Sequence, residues 1–333
     1  MPASEQDFLA SIDRHFPNTG PGIALGRGDD CAIIDQAGPL CLSTDLFVEH
    51  AHFRRSYFTP QDIGHKALAA AASDLAAMGA APVGFALSLV LPAAGSSTVD
   101  NDVDDAFLDA LLSGMAALSS RLALPLIGGD LSAGPTLALD ITVLGRPGTS
   151  GRLLRRCMAQ PGDALVVIGP FGLARVGLLA LEIAGRTARD TWPDATNAHL
   201  RPEPRLAEGQ TLAGFPAVRG LMDVSDGLAR DLPRFLGSDA ARNAAPLGAE
   251  LSITAETLHP EVRAFCAARG ADPVVEAVLG GEDYALLAAV DPAGLAAVLA
   301  ALPGALVIGA VTDTPGLRLN GRPFTKAGFD HFG

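Results

Sequence analysis

Tryptophan occurs once and tyrosine twice in the 333 residues, and all aromatics together make up only 5% of the chain. A core without large rings must come from Ala, Leu, Val and Ile, and the hydrophobic share is 49% against 18% charged. That balance belongs to a folded globular protein, and the length suits two domains that each bury a core. Cations are also short: 24 Lys and Arg face 37 Asp and Glu, for a formal net charge of −13. This excludes a broad nucleic-acid or membrane-surface footprint, which needs clustered Lys and Arg. The four cysteines, Cys31, Cys41, Cys157 and Cys266, form no C-x-x-C pair. The usual zinc spacing and a disulfide framework are therefore missing, which fits a reducing compartment. No apolar stretch is long enough to cross a bilayer. The segment MPASEQDFLASIDRHF lacks the basic region followed by an apolar run that marks a signal peptide. The cytoplasm is the expected location.

Two common nucleotide signatures are absent as well. There is no G-x-x-x-x-G-K-[ST] loop, and neither H-R-D…N nor D-F-G occurs. Any nucleotide chemistry here needs another scaffold.

What is present alternates between strand and helix patterns. Strands are predicted over residues 31–35, 40–45, 83–91, 124–127 and 136–144. A helix starts with Thr59 as N-cap, Pro60 at its first position and Asp62 in its first turn, and stops at Gly79. A second helix is expected over residues 103–122. The turn-rich RPGTSG at 146–151 sets the expected domain boundary, giving domains 1–147 and 148–333. The second half continues with strands at 164–168, 220–222, 284–289 and 305–311. Its helices are expected from Leu173, from Gly227, and over 261–269 and 292–302. The fold class is α+β with two domains.

Five short segments place aspartate where a fold alone does not ask for it. Gly28-Asp29-Asp30 precedes a strand, and a solvated turn would explain it equally well. Ser43-Thr44-Asp45 ends an apolar strand with an all-oxygen set that a hard cation accepts, although helix capping is as good a reading. Asp74 lies in the last turn of an alanine-rich helix, where the dipole disfavours a carboxylate. Its neighbours Ala70, Ala71, Ala77 and Met78 offer no base, so a bound cation is the better explanation. Gly128-Gly129-Asp130 follows an apolar strand, and its glycines allow close backbone approach to a ligand. Asp223-Val224-Ser225-Asp226-Gly227 turns a strand into a helix, where N–H groups can receive phosphate while carboxylates hold cations. Repeated acids with Ser and Thr, without cysteine ligands, point to Mg²⁺ rather than zinc. Carboxylates that hold Mg²⁺, which in turn holds phosphate, reconcile an acidic chain with an anionic substrate.

In their order along the chain these blocks resemble the thiamine-monophosphate kinase family, within the ATP-binding superfamily shared with aminoimidazole ribonucleotide synthetase. The matching blocks are GRGDDCAII (26–34), LSTDLFVEHAHF (42–53), DIGHKALAAAASDLAAMGAAP (62–82), LIGGD (126–130), LRPEPR (200–205), DVSDGLARDL (223–232), GGEDYALL (280–287) and GFDHF (328–332). The resemblance implies transfer of the ATP γ-phosphoryl group onto thiamine monophosphate, giving thiamine diphosphate and ADP. It implies that Asp30, Ser43, Thr44, Asp45, Asp74, Asp130, Asp223 and Asp226 ligate several Mg²⁺ ions. Gly129, Asp130, Arg156 and Ser225 would contact ATP, with Arg155 as the alternative to Arg156. His52, Glu282 and Phe329 would line the thiamine site. Leu122 stands where some relatives carry a tyrosine near the nucleotide. The implied architecture is a homodimer. Its N-terminal mixed α/β domains share a β-barrel, and a C-terminal α/β sandwich domain completes each site.

No general base or covalent catalyst is expected, because the acceptor phosphate is already a nucleophile and positioning does most of the work. Two unit charges about 4 Å apart repel by roughly 4 kcal/mol at an effective dielectric near 20, and metal bridging removes that barrier. The competing readings are another ATP-dependent enzyme of the superfamily and a catalytically silent nucleotide or thiamine-phosphate sensor.

Overall fold

The computed structural model describes residues 5–27, 31–92, 103–237 and 245–326. The chain divides into two units, residues 1–75 with 81–146, and residues 76–80 with 147–333. Both mix helices with sheet.

The first unit runs α1 (Glu5–His15), β1 (Ile23–Leu25), β2 (Ile33–Ile34), β3 (Cys41–Val48), α2 (Pro60–Ala77), β4 (Ala80–Pro92), α3 (Asp105–Leu122), β5 (Leu126–Gly134) and β6 (Ala138–Pro147). Its main sheet has the order β3-β6-β4-β5, with β3 antiparallel to β6 and β4 parallel to β5. Within the described residues of one chain this sheet is open, with β3 and β5 at its edges and no closed barrel. Helix α2 starts as its sequence predicts. Thr59 Oγ1 accepts the Asp62 N–H at 3.2 Å, the Asp62 carboxylate accepts the Thr59 N–H at 3.1 Å, and Pro60 occupies the first turn. Helices α2 and α3 then pack backbone to backbone. A Cβ on Gly64 would lie 2.1 Å from the Leu111 carbonyl oxygen, and one on Gly114 would lie 2.2 Å from that of Gln61. Leu68 and Leu75 of α2, and Leu111, Leu112 and Met115 of α3, are fully buried and form the core beside the sheet.

Three predicted bounds need correction. The strand expected at 31–35 shrinks to Ile33–Ile34, because its partner β1 is only three residues long. Helix α3 begins at Asp105 rather than 103, because the Asp104 side chain accepts the Phe107 N–H at 2.8 Å and so caps it. The strand expected at 124–127 begins at Leu126 and continues to Gly134, since β4 supplies parallel partners all along it. Gly128-Gly129-Asp130 is therefore strand rather than turn, in register with Ala86, Leu87 and Ser88. Only glycine fits at 129, where a Cβ would lie 1.9 Å from the Leu87 carbonyl oxygen.

The second unit runs β7 (Ala164–Ile168), α4 (Leu173–Ala184), α5 (Ala188–Thr191), α6 (Pro193–Leu200), α7 (Leu206–Ala213), β8 (Val218–Val224), α8 (Leu228–Phe235), β9 (Gly248–Leu251), α9 (Pro260–Arg269), α10 (Pro273–Leu279), β10 (Ala285–Val290), α11 (Leu295–Ala301), β11 (Ala305–Thr312), β12 (Gly316–Leu319) and β13 (Arg322–Pro323). Seven strands form one sheet in the order β13-β12-β9-β11-β7-β10-β8. Every residue of β7 and β10 is buried, as continuous apolar runs in central strands predict. Strand β8 lies at the sheet edge beside β10. The segment from Arg152 to Cys157 borders that edge. The Arg152 guanidinium donates to the carbonyls of Ala213, Phe215 and Val218, the Leu221 N–H donates to the Arg155 carbonyl, and the Cys157 N–H donates to that of Phe235.

Candidate active site

In the first unit the candidate residues sit on β3, α2 and β5. Alternation along β3 sends Ser43 and Asp45 one way and Leu42, Thr44 and Leu46 the other, the second group being solvent-exposed. Ser43 Oγ donates a short hydrogen bond to the Asp74 carboxylate of α2. Asp45 feels both Asp74 and Asp140. Burial first, then the charges of Asp74 and Asp140, push its pKa up to about 6. Thr44 turns to the opposite face, where its hydroxyl donates to Asp140 at 2.7 Å and lies 3.1 Å from Thr142 Oγ1. Ser43, Asp45 and Asp74 thus come together, while Thr44 pairs with Asp140 on the other face of the sheet. Gly129 and Asp130 lie on β5 at the far side of the sheet order from β3. His52 follows β3, accepts the Val48 N–H on Nδ1 at 3.1 Å, and packs its ring 5.6 Å from that of Phe47. Asp30 and Phe329 fall outside the described residues.

Asp140 escaped the sequence reading. Its signal was a carboxylate in the strand ALDITVL of β6, where Thr142 is the other polar residue.

In the second unit two predicted segments are stitched together. The Glu282 N–H donates to the Ser225 carbonyl at 2.7 Å, and the Tyr284 N–H to that of Val224 at 3.0 Å. Glu282 and Tyr284 hold left-handed backbone, with φ of 63° and 49°. Gly281 lies so close to this turn that a Cβ would meet the Ser225 carbonyl oxygen at 2.6 Å. Asp223 is buried at the end of β8, in register with Leu286. The Asp226 carboxylate faces Arg234, with Arg230 at 3.5 Å. Arg155 and Arg156 are both exposed, and the Arg155 guanidinium lies 3.7 Å from Met158 Sδ.

Neither Ser225 nor Asp226 caps α8. Gly227 is the N-cap and offers no side chain, while Asp231 reaches back to accept the Asp226 N–H at 2.9 Å. Asp231 is wholly buried, and burial pushes its pKa up to about 7. The spacing Leu228, Asp231, Leu232, Phe235 already placed it on the apolar stripe. Asp283 does the same for α4, taking the Gly172 and Ala174 N–H groups at 2.5 and 2.9 Å. His199 Nδ1 lies 3.2 Å from Glu282 Oε2. None of Asp231, Asp283 and His199 was singled out from sequence.

Among the described residues no three His, Cys, Asp or Glu side chains are gathered into a ready metal cage. The donor chemistry around β3 nonetheless fits a hard divalent cation. The donors are oxygens only, and Asp45 carries a proton-affinity penalty that a nearby positive charge would reverse.

Comparison with known proteins bears on the chemistry. Residues 28–146 match the N-terminal domain, and residues 160–322 the C-terminal domain, of the family described as AIR synthase related protein. A thiamine-monophosphate kinase of Synechococcus elongatus is 36% identical over 345 residues, covering 98% of this chain and 96% of the relative. One from Escherichia coli K12 is 34% identical over 353 residues, covering 100% of this chain and 99% of the relative. The crystal structure of thiamine-monophosphate kinase from Stenotrophomonas maltophilia K279a aligns with a TM-score of 0.79 at 30% identity, covering 95% of this chain and 96% of that one.

Proposed function

Because the chain belongs to the AIR synthase related family, and within it to the thiamine-monophosphate kinases, we infer that it uses ATP to phosphorylate thiamine monophosphate to thiamine diphosphate. Near-full-length likeness to kinases of that one specificity carries the conclusion.

The chemistry asks for two anions to be held in line, with the acceptor phosphate as nucleophile and ADP as leaving group. Mg²⁺ bound among the carboxylates would neutralise the phosphate oxygens and supply Lewis-acid stabilisation of the transferring group. Its ligands would come from Asp30, Ser43, Thr44, Asp45, Asp74, Asp130, Asp223 and Asp226. The oxygen-only donor set and the raised pKa of Asp45 support this reading. Gly129, Asp130, Ser225 and Arg156 or Arg155 would contact ATP. Both arginines are exposed, so each is open to a ligand. His52, Glu282 and Phe329 would receive thiamine, whose thiazolium ring carries a permanent positive charge that a carboxylate recognises. Residues 1–147 would hold ATP and metal and form the dimer, and residues 148–333 would complete the site.

A homodimer is supported by the outward face of β3, where Leu42 is 64% and Leu46 58% exposed. A shared barrel would cover both leucines. The cytoplasm suits the substrates, and among the described residues no helix is long and apolar enough to cross a membrane.

The test is direct. Purified protein with ATP, MgCl₂ and thiamine monophosphate is expected to give thiamine diphosphate and ADP in equal amounts. Chelation should stop the reaction, and excess Mg²⁺ should restore it. Tight binding of both substrates without product would instead identify a silent sensor.

A further inference from the structure

His199 is 1% exposed, yet its ring lies against a carboxylate that is 28% exposed, so a buried side chain meets one that is partly open to solvent. The contact is built by a closed circuit of packing within the second unit. Asp283 accepts the N–H groups that open α4. Farther along α4, Gly177 lets α6 approach: a Cβ there would lie 2.0 Å from the Ala195 carbonyl oxygen and 3.0 Å from His199 Cβ. Helix α6 carries His199 in its last turn, and the ring returns to Glu282, the residue beside Asp283, at 3.2 Å. Glu282 and Tyr284 hold left-handed backbone that non-glycine residues avoid, although Gly280 and Gly281 stand immediately before them. A turn needing only that backbone shape would use glycine there. Keeping a glutamate in the unfavourable shape, and fixing its side chain from behind, is what a binding carboxylate requires.

We propose that His199 is a positioning residue for acceptor recognition: it fixes the Glu282 carboxylate in the orientation that receives the cationic ring system of thiamine monophosphate. The inference rests on the kinase reading above and on Glu282 as its thiamine-side residue. An imidazole nitrogen that donates to a carboxylate removes its rotational freedom before the ligand arrives, so the ligand does not have to. Losing that donor should weaken binding of the acceptor while leaving ATP and the phosphoryl step nearly untouched.

The experiment compares His199→Asn, whose amide nitrogen stands close to the position of Nδ1, with His199→Leu and His199→Gln. For His199→Leu, KM for thiamine monophosphate should rise about tenfold or more, with kcat within about threefold and KM for ATP unchanged. His199→Asn should recover most of the loss and His199→Gln, whose amide lies farther out, should not. Adding His199→Leu to Glu282→Gln should raise KM little beyond Glu282→Gln alone. Folded His199→Leu with an unchanged acceptor KM would overturn the proposal, as would equal losses for ATP and acceptor. If leucine prevents folding, the Asn and Gln variants decide, and equal KM values for the two would overturn it. Wild-type protein that makes no thiamine diphosphate would defeat the kinase reading first, an outcome distinct from an active enzyme indifferent to residue 199.

Discussion

The Asp283 carboxyl sits where the N–H groups at the start of α4 favour negative charge, yet its pKa is pushed up to about 7. Burial outweighs the three backbone donors of Gly172, Leu173 and Ala174, and the neighbouring Glu282 charge adds a little. The folded value lies above the ordinary 3.8 of the unfolded chain. Its contribution to stability is therefore complete below that ordinary value and is lost as pH rises through about 7. Asp283→Asn cannot titrate, so the stability advantage of wild type over this variant should be larger near pH 5 than near pH 8. The expected difference is on the order of 2 kcal/mol, measured by urea unfolding at both values. Parallel pH–stability curves for the two proteins would contradict this. Asp231 shares the sign, again because burial dominates.

At the scale of elements, the crossing of α2 and α3 depends on two glycines that any other residue would wedge apart. Alanine is the better helix former by about 1 kcal/mol, but a methyl group 2.1 Å from the Leu111 carbonyl must move backbone. Gly64→Ala should therefore destabilise by about 1–3 kcal/mol despite the propensity gain, read as a lower urea midpoint at unchanged m-value. A midpoint equal to or above wild type would show that the helices can separate freely.

Such elements also show what sequence could and could not tell. The start of α2 was legible because Thr59, Pro60 and Asp62 act on one another within one turn. The central strands β7 and β10 were legible because continuous apolar runs need no partner to be recognised. The extension of β5 through Gly128-Gly129-Asp130 was not, since its partner β4 lies far away along the chain and glycines read locally as turn. The end of α3 closes on Ala123 at φ 51°, without the glycine that would have announced it. At the site, pattern singled out Asp45 and Asp74 separately. Their approach across β3 and α2, and that of His199 to Glu282, are products of tertiary packing that no local spacing encodes.

For the whole molecule, the exposed leucines on the outer face of β3 make assembly a measurable expectation. Wild type should scatter light as a particle of twice the 34.0 kDa chain mass, and Leu42→Asp with Leu46→Asp should return it to a single chain. Wild type that stays monomeric at micromolar concentration would remove the shared barrel from the reading. The division of the chain has its own corollary. Residues 76–80 lie inside the first stretch of sequence but pack with the second unit, where the Leu154 N–H donates to the Met78 carbonyl and Gly79 abuts Gly209. No single scissor cut therefore yields two self-contained pieces. A gene truncated after β6 would encode a loop stripped of its bed, and a swap of halves between relatives would have to carry that five-residue graft along with the C-terminal portion.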